Sequence, residues 1–349
     1  MKKSARSDVT VAVVIPAYNA ELTLAETISS VRNQTHRALE IVVVDDGSKD
    51  DTLAIAQDIV KIDPRVRVLK QSNSGVAAAR NAGWRSTSAD LVAFLDADDL
   101  WSPDKIERQL VALEEGGPQV GLVYTWYAMI DHENYVIYRS NEISVKGDVL
   151  DEVLAENFIG NGSSPLVRRN VLEATGGFDS SLQQLEAQGC EDYLFYCLAA
   201  ELSHFAVVPD HLVGYRQTPD NMSANLTRML RSWILVADEM LKRHPEKGIV
   251  IRAGLRRCGR WLAQRAVEQG QYRALFGLVA TMSRHDKPIA AKMLAVDARS
   301  KAMRSLRRKA RSWLKQEPYF SPNPNHRFAL GTKYDAGWTV EPPILVSAK

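Results

Sequence analysis

Short aliphatic runs alternating with helical repeats dominate the first 125 residues. Residues 10–15 are rich in β-branched types and read as a strand. Leu22, Leu24, Ala25, Ile28 and Val31 then recur at helical spacing, with Asn19 or Thr23 as candidate cap and Glu26 completing a capping box with Thr23. Residues 41–44 (Ile-Val-Val-Val) are uninterrupted, as in a strand buried on both faces of a parallel sheet. They run into Asp45-Asp46-Gly47-Ser48, and a helix follows that turns Leu53, Ala56, Ile59 and Val60 inward. Residues 66–69 give a third strand, 76–84 an Ala-rich helix and 91–95 a fourth strand. Ser102-Pro103-Asp104 opens another helix with a cap, a first-turn proline and an acid at the positive end of the dipole. Ile106, Leu110 and Leu113 form its inner face, and residues 120–125 supply a fifth strand. Four βα units in succession predict an α/β fold with an open, mostly parallel sheet flanked by helices.

Later segments change character. Residues 226–241 and 249–280 carry helical periodicity around His244-Pro245-Glu246-Lys247-Gly248. Residues 299–315 are dense in Lys and Arg without an acid. Met303, Leu306, Ala310, Trp313 and Leu314 share one helical face there, as in a helix lying on an anionic membrane surface or one packed on the rest of the protein. Residues 316–349 are proline-rich and read as an irregular tail.

Composition narrows the class. The chain has 349 residues, 45% hydrophobic, with 44 basic against 42 acidic side chains, so no nucleic-acid partner is signalled. Three cysteines in no C-x-x-C pair suit a reducing, cytoplasmic setting. No stretch approaches the roughly 18–20 apolar residues of a membrane span, and the first apolar run, broken by Pro16, reads as a strand and not as a signal peptide. Three Asn-x-Ser/Thr triplets, at Asn161, Asn221 and Asn225, read as chance.

The densest candidate chemistry is Phe94-Leu95-Asp96-Ala97-Asp98-Asp99, where a strand delivers three carboxylates to the edge at which open α/β sheets bind ligands. Such hard oxygen ligands suit Mg²⁺ or Mn²⁺ on the phosphates of a nucleotide; the alternative is a solvated Asp-rich turn. Pro16-Ala17-Tyr18-Asn19 stands where a dinucleotide-binding fold carries G-x-G-x-x-G, and no G-x-x-x-x-G-K-[S/T] loop occurs.

Residues 14–19 (Val-Ile-Pro-Ala-Tyr-Asn), 40–48 ending Asp45-Asp46-Gly47-Ser48, Asp51-Thr52, Asn73-Ser74-Gly75, Ala79-Arg80-Asn81-Ala82-Gly83 and the Asp96 segment together resemble the family 2 glycosyltransferases of the GT-A fold. Gly176-Gly177-Phe178-Asp179 and Glu191-Asp192 resemble the family's acceptor-side motifs. The resemblance covers residues 9–223. It implies a GT-A-type catalytic domain whose 9–125 half binds nucleotide-sugar and whose 126–223 half binds acceptor; beyond it, the helical periodicity of the later segments gives a helical extension over 224–315.

What the resemblance implies for single residues follows the motifs. Asp45 reads the base, commonly uracil, between walls formed by Pro16 and Tyr18; the alternatives are a cap on Ser48 and ordinary packing of Tyr18. Arg80 meets ribose or phosphate, against a surface ion pair. Asp96 contacts ribose or the metal's water, Asp98 ligates the divalent cation, and Asp99 is a supporting partner or cap. Asp192, paired with Glu191 at the start of an apolar helix, is the general base, against a capping acid. The Gly176-Gly177 turn approaches the acceptor or stops a helix. Where many relatives carry a histidine that can touch metal or diphosphate, this chain has Thr218, a poor metal ligand. His204 and His211 read as partly buried structural residues.

The expected activity is inverting transfer of one sugar from a UDP-type donor to a hydroxyl acceptor. The acceptor is a sugar, glycan or lipid-linked species, at the inner face of the cytoplasmic membrane. A sugar-phosphate nucleotidyltransferase is disfavoured by Pro16-Ala17-Tyr18-Asn19, and a silent assembly subunit by the four retained carboxylates Asp45, Asp96, Asp98 and Asp192. Residues 160–165 and 180–189 are expected to shape acceptor choice.

Overall fold

The computed structural model describes residues 9–185, 187–217 and 225–293. In chain order the elements are β1 (Val11–Ala17), α1 (Leu24–Arg32), β2 (Leu39–Asp45), α2 (Thr52–Ile62), β3 (Val66–Lys70), α3 (Val76–Arg85), β4 (Leu91–Phe94) and β5 (Leu100–Trp101). There follow α4 (Lys105–Gly116), β6 (Val120–Ile130), β7 (Val136–Arg139), α5 (Leu150–Ala155), β8 (Leu166–Arg168), α6 (Arg169–Thr175), α7 (Ser181–Gln184), α8 (Glu191–Leu202) and β9 (His204–Arg216). Three helices close the described chain: α9 (Leu226–Arg243), α10 (Gly248–Glu268) and α11 (Tyr272–His285).

The strands form one sheet in the order β3-β2-β1-β4-β8-β6-β9-β5, with β7 beside β6. The first four are parallel, as the βα alternation predicts. Beyond β4 the sheet is mixed, not mostly parallel. The three-residue β8 enters antiparallel between β4 and β6, while β6 and β9 pair parallel. Strand β6 also runs past residue 125; its ladder with β9 bulges at Trp126, next to the cleft-lining Tyr127.

Both sheet faces are covered, which explains the unbroken aliphatic runs. Side chains alternate along β1: Val11, Val13 and Ile15 pack with Leu24, Ile28, Ile106 and Leu110, while Ala12 and Val14 face the other side. That second core includes Ala79, Leu172, Phe195 and Tyr196, and continues through Leu230, Met240, Leu255, Leu262 and Leu278 of the last three helices. The extension is therefore built onto the catalytic sheet as part of one core. Gly254 sets its closest approach: a Cβ there would stand 2.2 Å from the Leu154 carbonyl oxygen of α5.

Helix starts depart from sequence expectation in two places. Thr23 makes no cap bond; its hydroxyl donates to Ala97 O at 2.8 Å, and Glu26 turns to Arg216 and Asn134 instead of closing a box. Helix α4 begins at Lys105, because Leu100–Trp101 pairs with β9 before the turn at Ser102. Asn225 caps α9 by accepting from Arg228 N at 3.0 Å. Among the described residues no helix is long and apolar enough to cross a membrane. The segments 299–315 and 316–349 lie outside the described residues.

Candidate active site

Ala17 stands in register with Asp45, and Val14 with Phe94, so β1, β2 and β4 deliver their following loops to one sheet edge. At that edge Asp45 is fully buried. Its Oδ1 accepts the Ser48 N–H at 3.2 Å, while its Oδ2 has no partner. A buried carboxylate oxygen left unpaired is costly unless a ligand N–H supplies the bond, so cap and base-contact readings fall on different oxygens of one side chain. Asp46 is committed elsewhere: it accepts from Gln71 Nε2 at 2.7 Å and from the Ser74 and Gly75 amides at 2.8 Å each, tethering the start of α3. Pro16 is buried within β1, whereas Tyr18, just beyond it, is 46% exposed and not packed into the core.

Helix α3 aims Arg80 into the middle of the carboxylates. Its side chain is 2% exposed; Nη2 donates to Asp96 Oδ1 at 2.5 Å and Nη1 lies 3.5 Å from Glu191 Oε1. This is a buried ion pair, not a surface one. The Phe178 ring lies beneath the guanidinium, 5.3 Å from its carbon. Asn81, the next residue on α3, holds Phe178 by exchanging hydrogen bonds with its carbonyl and amide at 2.6 and 3.0 Å. The Gly176-Gly177-Phe178 turn thus ends α6 and buttresses α3. Gly162 closes over the ion pair, since a Cβ there would meet Arg80 Nη2 at 2.4 Å.

The three aspartates after β4 have distinct surroundings. Asp98 is pushed up to about 6, first by burial and then by the neighbouring negative charge of Asp96. Repulsion of this kind is what a divalent cation relieves, and carboxylate oxygens are its preferred donors. Among the described residues no group of three or more His, Cys, Asp or Glu is placed to hold a metal ion. A cation at Asp96 and Asp98 would therefore need substrate oxygens or water to complete its shell. Asp99 is fully buried and shifted well upward by burial and its two neighbours. It accepts the Ser163 hydroxyl at 2.5 Å and the Arg216 amide at 2.9 Å. Ser163 Oγ in turn accepts the Asp96 amide at 3.0 Å. Arg216 completes the corner by donating Nε to Asp98 O at 2.7 Å, Nη1 to Asn134 Oδ1 at 2.6 Å and Nη2 to Glu26 at 3.0 Å.

Facing this corner, Glu191 and Asp192 open α8. Glu191 accepts the Gly189 amide at 2.9 Å. The helix dipole alone would favour ionised Asp192, but burial, then Glu191, push it up to about 7, with Arg80 pulling the other way. A carboxyl poised near neutrality is suited to take a proton from a hydroxyl.

Arg80, Asp96, Glu191 and Asp192 line a cleft of about 640 Å³, with Tyr127 and Tyr215 also in its wall. The sequence did not mark Ser163 or Arg216 as braces, nor the α10 residues Arg257, Trp261 and Arg265 that also line the cleft. The Arg-Trp-Arg spacing of four on a helix was the available signal for the last three. His211 is buried against Ser140 O as a structural residue, while His204 is exposed. Thr218 lies outside the described residues.

The family model described as glycosyl transferase family 2 matches residues 12–175. An uncharacterised glycosyltransferase of Nostoc sp. is 33% identical over 215 residues, covering 59% of this chain and 64% of that protein. The matched stretch is thus less than two thirds of that relative's own length. Residues 1–349 of Staphylococcus aureus TarS in complex with UDP-GlcNAc superpose with a TM-score of 0.62 at 16% identity, covering 90% of this chain and 99% of that one. The mannosyltransferase PcManGT of Pyrobaculum calidifontis, in complex with GDP-Man and Mn²⁺, gives 0.55 at 22% identity, covering 87% and 82%. These likenesses fix the fold as GT-A-like, with a mixed sheet and a C-terminal helical region. The match over residues 12–175 identifies that stretch as a glycosyl transferase family 2 domain.

Proposed function

We propose that this protein transfers one sugar, with inversion, from a nucleoside-diphosphate donor, UDP by preference, to a hydroxyl acceptor. The observation that carries the reading is the buried constellation in which Arg80 separates Asp96 from Glu191 and Asp192, with Asp192 pushed up to about 7 in the wall of an open cleft. Asp192 takes the acceptor hydroxyl's proton as the oxygen attacks the anomeric carbon. One base and one displacement give inversion. Arg80 and the α3 start face the departing diphosphate with fixed positive charge. Asp45 offers its unpaired Oδ2 to a ring N–H of the base. When bound, a divalent cation (Mn²⁺ or Mg²⁺) held by Asp98 and Asp96 supplies charge neutralisation on the diphosphate. The UDP-GlcNAc complex of TarS and the Mn²⁺ complex of PcManGT support the donor and cation parts of this reading. The setting is synthesis of a cell-surface polysaccharide or lipid-linked oligosaccharide at the cytoplasmic membrane, with 299–315 as peripheral contact.

The test is a thermal-shift and hydrolysis screen of nucleotide-sugars with Mn²⁺ or with EDTA. A UDP-sugar that raises the melting temperature and is slowly hydrolysed only with the cation is the expected result. Binding without any hydrolysis or transfer would point to a silent subunit.

A further inference from the structure

The cleft does not end at the carboxylates. Helix α10 contributes Arg257, Trp261 and Arg265, spaced by four and therefore on one stripe, all three lining the cleft. From Arg257 to Arg265 the stripe runs about 12 Å at 1.5 Å per residue, longer than a single sugar ring. Trp261 leaves 49% of its surface exposed, although an indole is among the most favourable side chains to bury. Arg257 is neutralised by an ion pair with Glu156. Arg265 differs: its guanidinium lies over the Trp261 ring, 5.6 Å from the centroid, and no carboxylate of the described residues pairs with it.

An open aromatic face suits the apolar C–H face of a pyranose, and an uncompensated guanidinium beside it suits a phosphate or carboxylate in two-point contact. Charge also orients such a molecule. Of the arginines lining the cleft, Arg80 is paired with Asp96 and Glu191 and Arg257 with Glu156, so an anionic group is drawn to Arg265 while a neutral hydroxyl is left for Asp192. We propose that α10 forms an acceptor subsite for a sugar bearing an anionic group, with Trp261 against the ring and Arg265 on the anion. This rests on the transferase reading above and deepens it by naming the acceptor class, an anionic glycan.

The experiment is saturation-transfer NMR on the full chain with saturating UDP and Mn²⁺, so that the donor's phosphate contacts are occupied. Glucose 6-phosphate, glucuronate and glucose are the probes, the first two separating phosphate from carboxylate. At least one charged probe should show ring-proton saturation and bind roughly tenfold tighter than glucose. Trp261→Ala should remove the ring signal. Arg265→Gln should erase the preference over glucose while keeping the melting temperature. Arg260→Gln, on the exposed side of the same helix, should change nothing. Neither anion preferred over glucose, or equal losses in Arg260→Gln and Arg265→Gln, would overturn the subsite. UDP failing to raise the melting temperature in the same samples would instead count against the donor reading.

Discussion

Arg80 and Asp96 share an ion pair of 2.5 Å in which the arginine is the buried member, 2% exposed against 24% for the aspartate. The guanidinium is therefore held among the carboxylates around it in the wall of the cleft. Arg80→Gln would leave Asp96, Glu191 and Asp192 facing one another uncompensated. Stability should fall by about 3 kcal/mol, the usual scale for removing one partner of a buried pair, read from the denaturant midpoint. Because Arg80 holds Asp192 down, the acid limb of the pH–rate profile should also move to higher pH. An unchanged profile would show that Arg80 does not tune the base.

Asp192 should impose its own pH signature. Activity should rise through about pH 7 as the carboxyl ionises. Asp192→Asn should lose a factor of about 10²–10⁴ in transfer while UDP binding persists. The stability sign is opposite. Its native pKa lies above the ordinary 3.8, so between these values the native state holds the extra proton and loses stability as pH rises. The variant should therefore gain melting temperature relative to wild type at pH 8 and none at pH 4. A parallel pair of melting curves would refute the assignment.

Asp98→Ala should abolish the cation-dependent part of donor affinity, and EDTA should inhibit the wild type. Titration of UDP-sugar with and without Mn²⁺ measures both. Transfer indifferent to chelation would remove the cation from the mechanism.

Asp45→Ala should weaken UDP by roughly 10- to 100-fold, the worth of about 1.5–3 kcal/mol in a hydrogen bond to a charged group. A bare diphosphate-sugar fragment should lose far less. Equal losses in calorimetry would mean that Asp45 serves the Ser48 turn alone.

Gly254→Ala tests the seam between extension and catalytic unit. In an open helix interior the change stabilises by about 1 kcal/mol. Here the new Cβ would lie 2.2 Å from the Leu154 carbonyl, so the sign should reverse, with a loss of about 1–3 kcal/mol. A raised melting temperature would show that α10 does not dock so closely.

What the sequence revealed was whatever depended on neighbouring residues. The runs at β1, β2 and β4 are uninterrupted because both sheet faces are covered, and candidate carboxylates sit at the end of β2 and just after β4. Strand β8 escaped detection because three residues, Leu166–Arg168, show no periodicity and owe their state to β4 and β6. Asp45 and Asp46 look alike in the chain, yet only the fold tells an unpaired oxygen from a triply occupied anchor. Lys105 opens α4 and belongs to no motif. It is wholly buried, its Nζ 3.8 Å from the centre of the Trp101 ring and hydrogen-bonded to Gln109, behind the segment at Ser163. Trp261 and Arg265 gave no motif because their meaning lies in facing a cleft formed by elements far away in the chain.

The corner held by Arg216 has a consequence for the order in which this molecule is made. Arg216 joins Asp98, Asp99, Asn134 and Glu26, the last of them 190 positions earlier in the chain. A ribosome-bound chain can lay down β1 to β4 early, since those pairings are comparatively near in sequence. Asp98 O and the Oδ1 of Asp99 lack their Arg216 contacts until residue 216 has emerged. The half of the fold that most resembles a nucleotide-binding unit is thus completed by the last residue of the last strand, and the corner around Asp98 closes only when the sheet is finished.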